Sequence, residues 1–143
     1  MTVHTDYALR VLLYLAHFPD RRISTEEIST AYGISKNHLV RVVHTLAEGG
    51  FVTVTPGRSG GVELARLPKA IRVGEVIRAT EASFRLVECH DATNNTCPIV
   101  PVCGLKGLLE GALSAFLAEL DKHTLADLVK SRSHKSFVQL VAG

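Results

Sequence analysis

The chain lacks the features of several protein classes. Its longest unbroken apolar run, Val11 to Ala16, is far too short to span a bilayer. It has no internal repeat and no low-complexity tract. It shows no export signal, and its clustered free cysteines are typical of a reducing compartment, so we expect a cytoplasmic protein. It shows no paired catalytic carboxylates, no nucleophile–base motif and no phosphate-binding loop, which argues against an enzyme. Its 143 residues, 46% hydrophobic and 21% charged, are typical of a globular protein.

Cysteine is scarce, and its three copies are clustered. Cys89, Cys97 and Cys103 lie within fifteen residues, with Pro98 and Pro101 stiffening the segment between the last two. An odd number of thiols cannot be paired completely into disulfides. Thiolate is the preferred ligand of iron–sulfur clusters, zinc and copper. The segment therefore predicts a metal centre with three ligands on one loop and a fourth from elsewhere.

Zinc remains an alternative for this centre, and a purely redox thiol pair is a weaker one. Structural zinc favours a Cys-x₂₋₄-Cys pair, whereas seven and five residues separate these cysteines. His90 adjoins Cys89, and two neighbouring side chains seldom ligate one ion. Five other histidines have no partner visible in the sequence and are interpreted as ordinary ones: His4, His17, His44, His123 and His134.

Hydrophobic periodicity and capping signals predict a mainly helical chain with one hairpin. The predicted helices cover 7–18, 25–32, 36–48, Val73–Glu81 and a long stretch from about Gly104. Val52, Val54, Val62 and Leu64 belong to two short strands around the glycine-containing turn Pro56–Gly61. The polar C-terminal residues are expected to fray. The predicted domains are 1–84 (winged helix-turn-helix), 85–104 (cysteine loop), 105–130 (dimerisation helix) and 131–143 (tail).

The order helix, helix, short turn, helix, hairpin is that of a winged helix-turn-helix, whose third helix enters the DNA major groove. The candidate DNA contacts on this helix are Ser35, Lys36, Asn37, His38 and Arg41. Arg58 and Ser59 at the hairpin tip are candidates for a minor-groove or backbone contact. Each residue alone is equally well explained as a solvated side chain. The slightly basic N-terminal part, with 11 Lys and Arg against 8 Asp and Glu up to residue 85, agrees with a polyanionic partner.

The long C-terminal helix carries more apolar surface than a small winged domain can cover. Its stripe is broad: Leu105, Leu108, Leu109, Ala112, Leu113, Phe116, Leu117 and Leu120. Burial against a second copy of the helix is the simplest interpretation, with packing inside one chain as the alternative. A two-fold dimer would also match DNA half-sites one helical turn apart.

Five segments together resemble the Rrf2 family of iron–sulfur transcription factors, and within it the nitric-oxide-sensing repressors. They are His4–Ala16, Gly33–Val52, Gly57–Ala65, Ile71–Ile77 and Cys97–Val129. The most specific parts are CPI–PxCGLK and HTLADLV.

The resemblance implies a homodimer with one cluster per subunit, held by Cys89, Cys97 and Cys103. The fourth ligand would be Asp6 of the partner subunit. The seven-residue spacer HDATNNT after Cys89 is longer than the common family pattern.

The resulting hypothesis is a repressor that binds double-stranded DNA and releases it when nitric oxide attacks a 4Fe–4S cluster, with 2Fe–2S as the alternative cluster. A second hypothesis is an IscR-like regulator of cluster supply. Such proteins use a histidine after the third cysteine, whereas Gly104, Leu105 and Lys106 stand here. A small iron–sulfur electron carrier is a third hypothesis, although a carrier needs no recognition helix.

Overall fold

The computed structural model describes residues 1–142, with side chains for all of these except residues 131 and 132. The helices are α1 (Val3–His17), α2 (Thr25–Tyr32), α3 (Lys36–Glu48), α4 (Val73–Thr80), α5 (Leu105–Asp121), α6 (Leu125–Leu128) and α7 (Ser131–Ala142). The strands are β1 (Val52–Thr55) and β2 (Gly61–Leu64). None of the helices in the described residues is long and apolar enough to cross a membrane.

Helix α1 is the central element of the core. Its residues Ala8, Val11 and Leu12 are completely buried, as expected for a helix that is apolar nearly all round. The helix begins at Val3 rather than at residue 7, because the Thr2 hydroxyl caps it by accepting a 3.2 Å hydrogen bond from the Thr5 N–H. The extra turn places Asp6 inside the helix.

Helices α2 and α3 form the helix-turn-helix with the bounds predicted from the sequence. The hydroxyls of Ser24 and Ser35 accept hydrogen bonds from the N–H groups of Glu27 and His38, and so cap the two helices. Gly33 ends α2 with φ of +64°, a conformation that glycine adopts without steric cost. The inner face of α3 is buried as predicted: Leu39, Val42, Val43 and Leu46.

Strands β1 and β2 form the predicted wing. They pair antiparallel, with Val52 opposite Leu64 and Val54 opposite Val62. A further bridge joins Val62 to Ile23, between α1 and α2, through two hydrogen bonds of 2.8 and 2.9 Å. The wing is therefore attached to the helix-turn-helix by backbone hydrogen bonds as well as by its buried side chains. The mainly helical winged fold predicted from the sequence is confirmed.

The long helix α5 stops earlier than the predicted segment 105–130. It ends at Asp121, whose carboxylate accepts hydrogen bonds of 2.6 and 2.8 Å from the Arg78 guanidinium of α4. Arg72 also donates to the Asp121 carbonyl at 2.8 Å. Thr124 and Asp127 then form the capping box of the short helix α6. These contacts fasten the C-terminal end of α5 to the winged domain.

The expectation of a frayed tail is wrong for residues 131–142, which form α7; residue 143 lies outside the described residues. The Phe137 ring of α7 stacks on His17 with centroids 3.9 Å apart and meets Tyr14 edge-on at 5.7 Å. His17 Nδ1 and His134 Nδ1 are 3.2 Å apart. Aromatic packing against α1 thus orders a segment whose polar sequence gave no strong helix signal.

Candidate nucleic-acid interface and cysteine loop

The N-terminal end of α3 presents polar side chains to solvent. Ser35, Lys36, Asn37 and Arg41 are exposed, whereas the opposite face of the helix is buried in the core. An exposed Asn and Arg one turn apart carry the hydrogen-bond groups that recognise adenine and guanine edges. The fold therefore positions these four predicted residues on one accessible surface.

Besides Ser35, whose hydroxyl caps α3, two members of the predicted set have partners inside the chain. The Lys36 ammonium lies 2.9 Å from the Glu26 carboxylate of α2, and both side chains are well exposed. His38 is half-buried, with its ring edge-on to Tyr7 of α1 at 4.7 Å. Lys36 can exchange its exposed ion pair for a phosphate at little cost. His38 instead packs α3 against α1, so its structural role is the clearer one.

Arg58 and Ser59 lie at the tip of the wing, in the turn between β1 and β2, and both are exposed. Gly57 holds φ of +97° there, and its carbonyl accepts a 3.1 Å hydrogen bond from the Gly60 N–H. This tight turn leaves Arg58 as the positive charge at the tip. The placement agrees with the predicted wing contact.

His4 of α1 and Thr45 of α3 form a contact that the sequence gave no signal for. His4 Nε2 lies 3.1 Å from Thr45 Oγ1, although the two residues are 41 positions apart. Burial lowers the pKa of His4 below its usual value, and the positive charges of His38 and Arg41 lower it further. No local sequence pattern reports a contact over such a separation.

The three cysteines are free and half-buried, and they lie on the segment between α4 and α5. The Glu88 carboxylate accepts hydrogen bonds from the N–H of Thr96 at 2.9 Å and from its hydroxyl at 2.6 Å. Residues 88 and 96 are the neighbours of Cys89 and Cys97. These hydrogen bonds close the spacer into a loop, and Cys89 and Cys97 lie at the two joined ends of that loop.

The donor set suits an iron–sulfur cluster chemically, because it consists of three free thiols on one loop. In the described part of the chain, no three His, Cys, Asp or Glu side chains are grouped around a single metal position. His90 does not complete a set. Its Nδ1 accepts a hydrogen bond from the Leu86 N–H at 3.3 Å, and its Nε2 is buried without a hydrogen-bond partner among the described residues.

Asp6 lies in the first turn of α1, where its carboxylate pairs with Arg10 at 2.8 Å. Its side chain is 41% exposed, so it is accessible from outside the chain. The carboxylate is not part of a metal-binding group within the described chain.

The α5 stripe is largely uncovered in the single chain. Leu108 is 68% exposed, Leu105 52% and Phe116 48%, and no α5 residue is fully buried. Beside it, an apolar cavity of about 350 Å³ opens between α4, residues 83–86 and α5. Its walls include Met1, Ile77, Phe84, Leu113 and Phe116. Packing within the described chain therefore does not account for this surface.

Known proteins resemble the chain over almost its whole length. The family model Rrf2, described as an iron-dependent transcriptional regulator, matches residues 1–131. The HTH-type transcriptional regulator NsrR of Bacillus subtilis is 50% identical over 133 residues, which cover 92% of this chain and 91% of that protein. The protein of the same name from Bacillus licheniformis is 44% identical, covering 94% of each chain.

Among solved structures, T. potens IscR superposes with a TM-score of 0.70 at 27% identity, covering 90% of this chain and 84% of that one. The NsrR relatives are named transcriptional regulators rather than enzymes. The fold of this chain is shared with the solved T. potens IscR structure. The extent of the family match and the identity to the NsrR regulators show that this chain belongs to the Rrf2 family of transcriptional regulators.

Proposed function

We propose that the protein is a homodimeric repressor that binds an operator in double-stranded DNA and releases it when nitric oxide attacks its iron–sulfur cluster. The observation that carries the DNA-binding part is the exposed N-terminal end of α3 beside a wing with Arg58 at its tip. Asn37 and Arg41 would contact bases, while Lys36, Arg58 and Ser59 would contact phosphates or the minor groove.

The uncovered α5 stripe and the adjoining cavity support the homodimer. Soluble monomers rarely expose a large contiguous apolar surface, and a second copy of α5 supplies a surface of the same chemistry. A two-fold arrangement would present two copies of α3 to a two-fold symmetric operator.

The three free thiols support the cluster. Cys89, Cys97 and Cys103 would each supply a thiolate to one cluster per subunit, expected to be 4Fe–4S. Asp6 of the partner subunit would supply a carboxylate as the fourth ligand, which its exposure permits. A carboxylate is a harder and weaker ligand for iron than a thiolate, so this iron would be the one open to nitric oxide.

The likeness to T. potens IscR supports a second candidate, a regulator that senses cluster supply with a 2Fe–2S cluster. The two candidates differ in iron and sulfide per chain and in the signal that changes DNA affinity. They share the fold, the dimer and the DNA site.

The test begins with anaerobic purification and counts of iron and sulfide per chain. Titrations of cluster-free, cluster-loaded and nitric-oxide-treated protein on one operator follow. We expect about four irons per chain and tight binding only for the loaded, untreated form. Two irons, with binding that responds to cluster loading and not to nitric oxide, would favour the second candidate. Equal affinity in all three states would rule out both kinds of sensing.

A further inference from the structure

A directed chain of hydrogen bonds joins the first turn of α1 to the middle of α3. His4 Nε2 lies 3.1 Å from Thr45 Oγ1, and the Thr45 hydroxyl donates to the Arg41 carbonyl at 3.2 Å. A hydroxyl has one proton, and here that proton is used on the carbonyl. His4 must therefore be the donor to Thr45, with its ring proton on Nε2. The chain ends on the backbone of Arg41, a predicted DNA contact.

A second contact lies two turns earlier on the same face of α3. His38 and Thr45 are seven residues apart, which places them on one side of the helix. The His38 ring stacks on His4 with centroids 6.3 Å apart and meets Tyr7 edge-on at 4.7 Å. The start of α1 thus contacts α3 at two points, and a displacement of that turn is passed to both.

The same turn has a second face that carries Asp6. At about 100° per residue, His4 and Asp6 project in nearly opposite directions from α1. His4 is turned toward α3, whereas the partly exposed Asp6 carboxylate has, among the described residues, its ion pair with Arg10 of the same helix. On the other side, Thr2 donates to the Glu81 carboxylate at 2.6 Å, which holds the start of α1 against the end of α4.

We propose that His4 is a positioning residue for DNA binding. Through its hydrogen bond to Thr45, it makes the position of α3 depend on the position of the first turn of α1, which carries Asp6. This inference rests on the proposed function, since it requires Asp6 to be held differently with and without the cluster. The quantity that it governs is the ratio of operator affinities of cluster-loaded and cluster-free protein. A uniform loss of DNA affinity cancels in that ratio, so the ratio separates transmission from ordinary stabilisation of the fold.

Two variants remove the hydrogen bond between His4 and Thr45 independently, one from each side. His4→Phe keeps a ring against His38 and removes the donor, and Thr45→Val keeps the shape and removes the hydroxyl. His4→Gln restores an N–H donor. His44→Phe is the matched control, because His44 neighbours Thr45 on α3 yet is exposed and pairs with Glu48.

We expect the affinity ratio to fall about five-fold or more in His4→Phe and in Thr45→Val, with the double variant no worse than either single one. His4→Gln and His44→Phe should stay within about two-fold of wild type. A large wild-type ratio that neither His4→Phe nor Thr45→Val changes would overturn the inference and leave the proposed function intact. A wild-type ratio near one would overturn the proposed function, and transmission with it.

A spectroscopic measurement tests the hydrogen-bond direction without cluster or DNA. Nitrogen-15 NMR of the cluster-free protein should show the His4 proton on Nε2, and Thr45→Val should shift that resonance. A proton on Nδ1 in the wild type would overturn the directed chain.

Discussion

At the scale of single residues, the three cysteines carry the most specific prediction. We expect Cys89→Ser, Cys97→Ser and Cys103→Ser each to abolish stable cluster binding, because a serine hydroxyl stays protonated and is a poor ligand for iron. The dimer should persist, since the exposed α5 stripe is separate from the loop. Anaerobic reconstitution followed by visible absorbance measures the cluster, and sedimentation measures the dimer. A full cluster in any one variant would contradict the assignment.

Asp6 has two possible roles that a pair of variants separates. As an acid in the first turn it would stabilise α1 by roughly 0.3–1 kcal/mol, and it also pairs with Arg10. As a ligand, its loss should leave the protein folded and make the cluster more labile or change its type. We expect this outcome for Asp6→Ala. Arg10→Gln is the control, because it removes the same ion pair and keeps the carboxylate. Equal cluster lifetimes in Asp6→Ala and wild type would refute the ligand role.

Arg41 is the exposed side chain of α3 best placed to distinguish base contacts from phosphate contacts. If it reads a base, Arg41→Ala should cost about 1–3 kcal/mol of operator binding and relax the preference at one position. If it contacts phosphate, affinity should fall for all sequences and the salt slope should shrink by about one. Titrations at several salt concentrations, on the operator and on point-substituted operators, decide between them. No effect of either kind would exclude Arg41 from the interface.

At the scale of elements, helix α7 depends on a titratable contact. Burial lowers the pKa of His17 below its ordinary value of 6.5, and the neighbouring His134 lowers it further. A depressed pKa means that His17 binds a proton less readily in the folded form than in the unfolded form. The contribution of His17 to the docking of α7 is therefore fully present above about pH 6.5 and is lost as the pH falls below that value.

We therefore expect the α7 amides to exchange faster with deuterium at pH 5.5 than at pH 7.5, after correction for intrinsic rates. His17→Phe should remove most of this pH dependence, because phenylalanine keeps the stack on Phe137 and does not titrate. Phe18→Leu is the control for loss of a neighbouring aromatic ring. The prediction fails if His17→Phe and wild type lose α7 protection equally on acidification.

At the scale of the whole molecule, the exposed α5 stripe predicts self-association. Leu108→Glu should convert the protein to a folded monomer, because a dimer formed through the α5 stripe would bury an unpaired carboxylate. Ser114→Glu adds the same charge to an exposed position of α5 off the stripe and should leave the dimer unchanged. Light scattering after gel filtration measures both. A dimeric Leu108→Glu would place the interface elsewhere.

Much of the fold could be predicted because its signals are local. Ser24 and Ser35 mark the starts of α2 and α3, and Gly33 marks the turn between them. The alternation of Val52, Val54, Val62 and Leu64 around a glycine turn indicated the wing. Each signal acts within a few residues, so the sequence by itself determined the bounds of α2 and α3 and the position of the hairpin. The cysteine spacing likewise determined which side chains are candidate ligands.

Other features were decided only by the tertiary structure, since their partners are distant in sequence. The end of α5 at Asp121 depends on Arg72 and Arg78 of the α4 region. Ordering of α7 depends on stacking against His17, and the His4–Thr45 contact spans 41 positions. Periodicity and capping report the neighbours of a residue along the chain. They carry no information about which distant surface folds against it, and in this protein those surfaces fix how α1, α3 and α7 are held together.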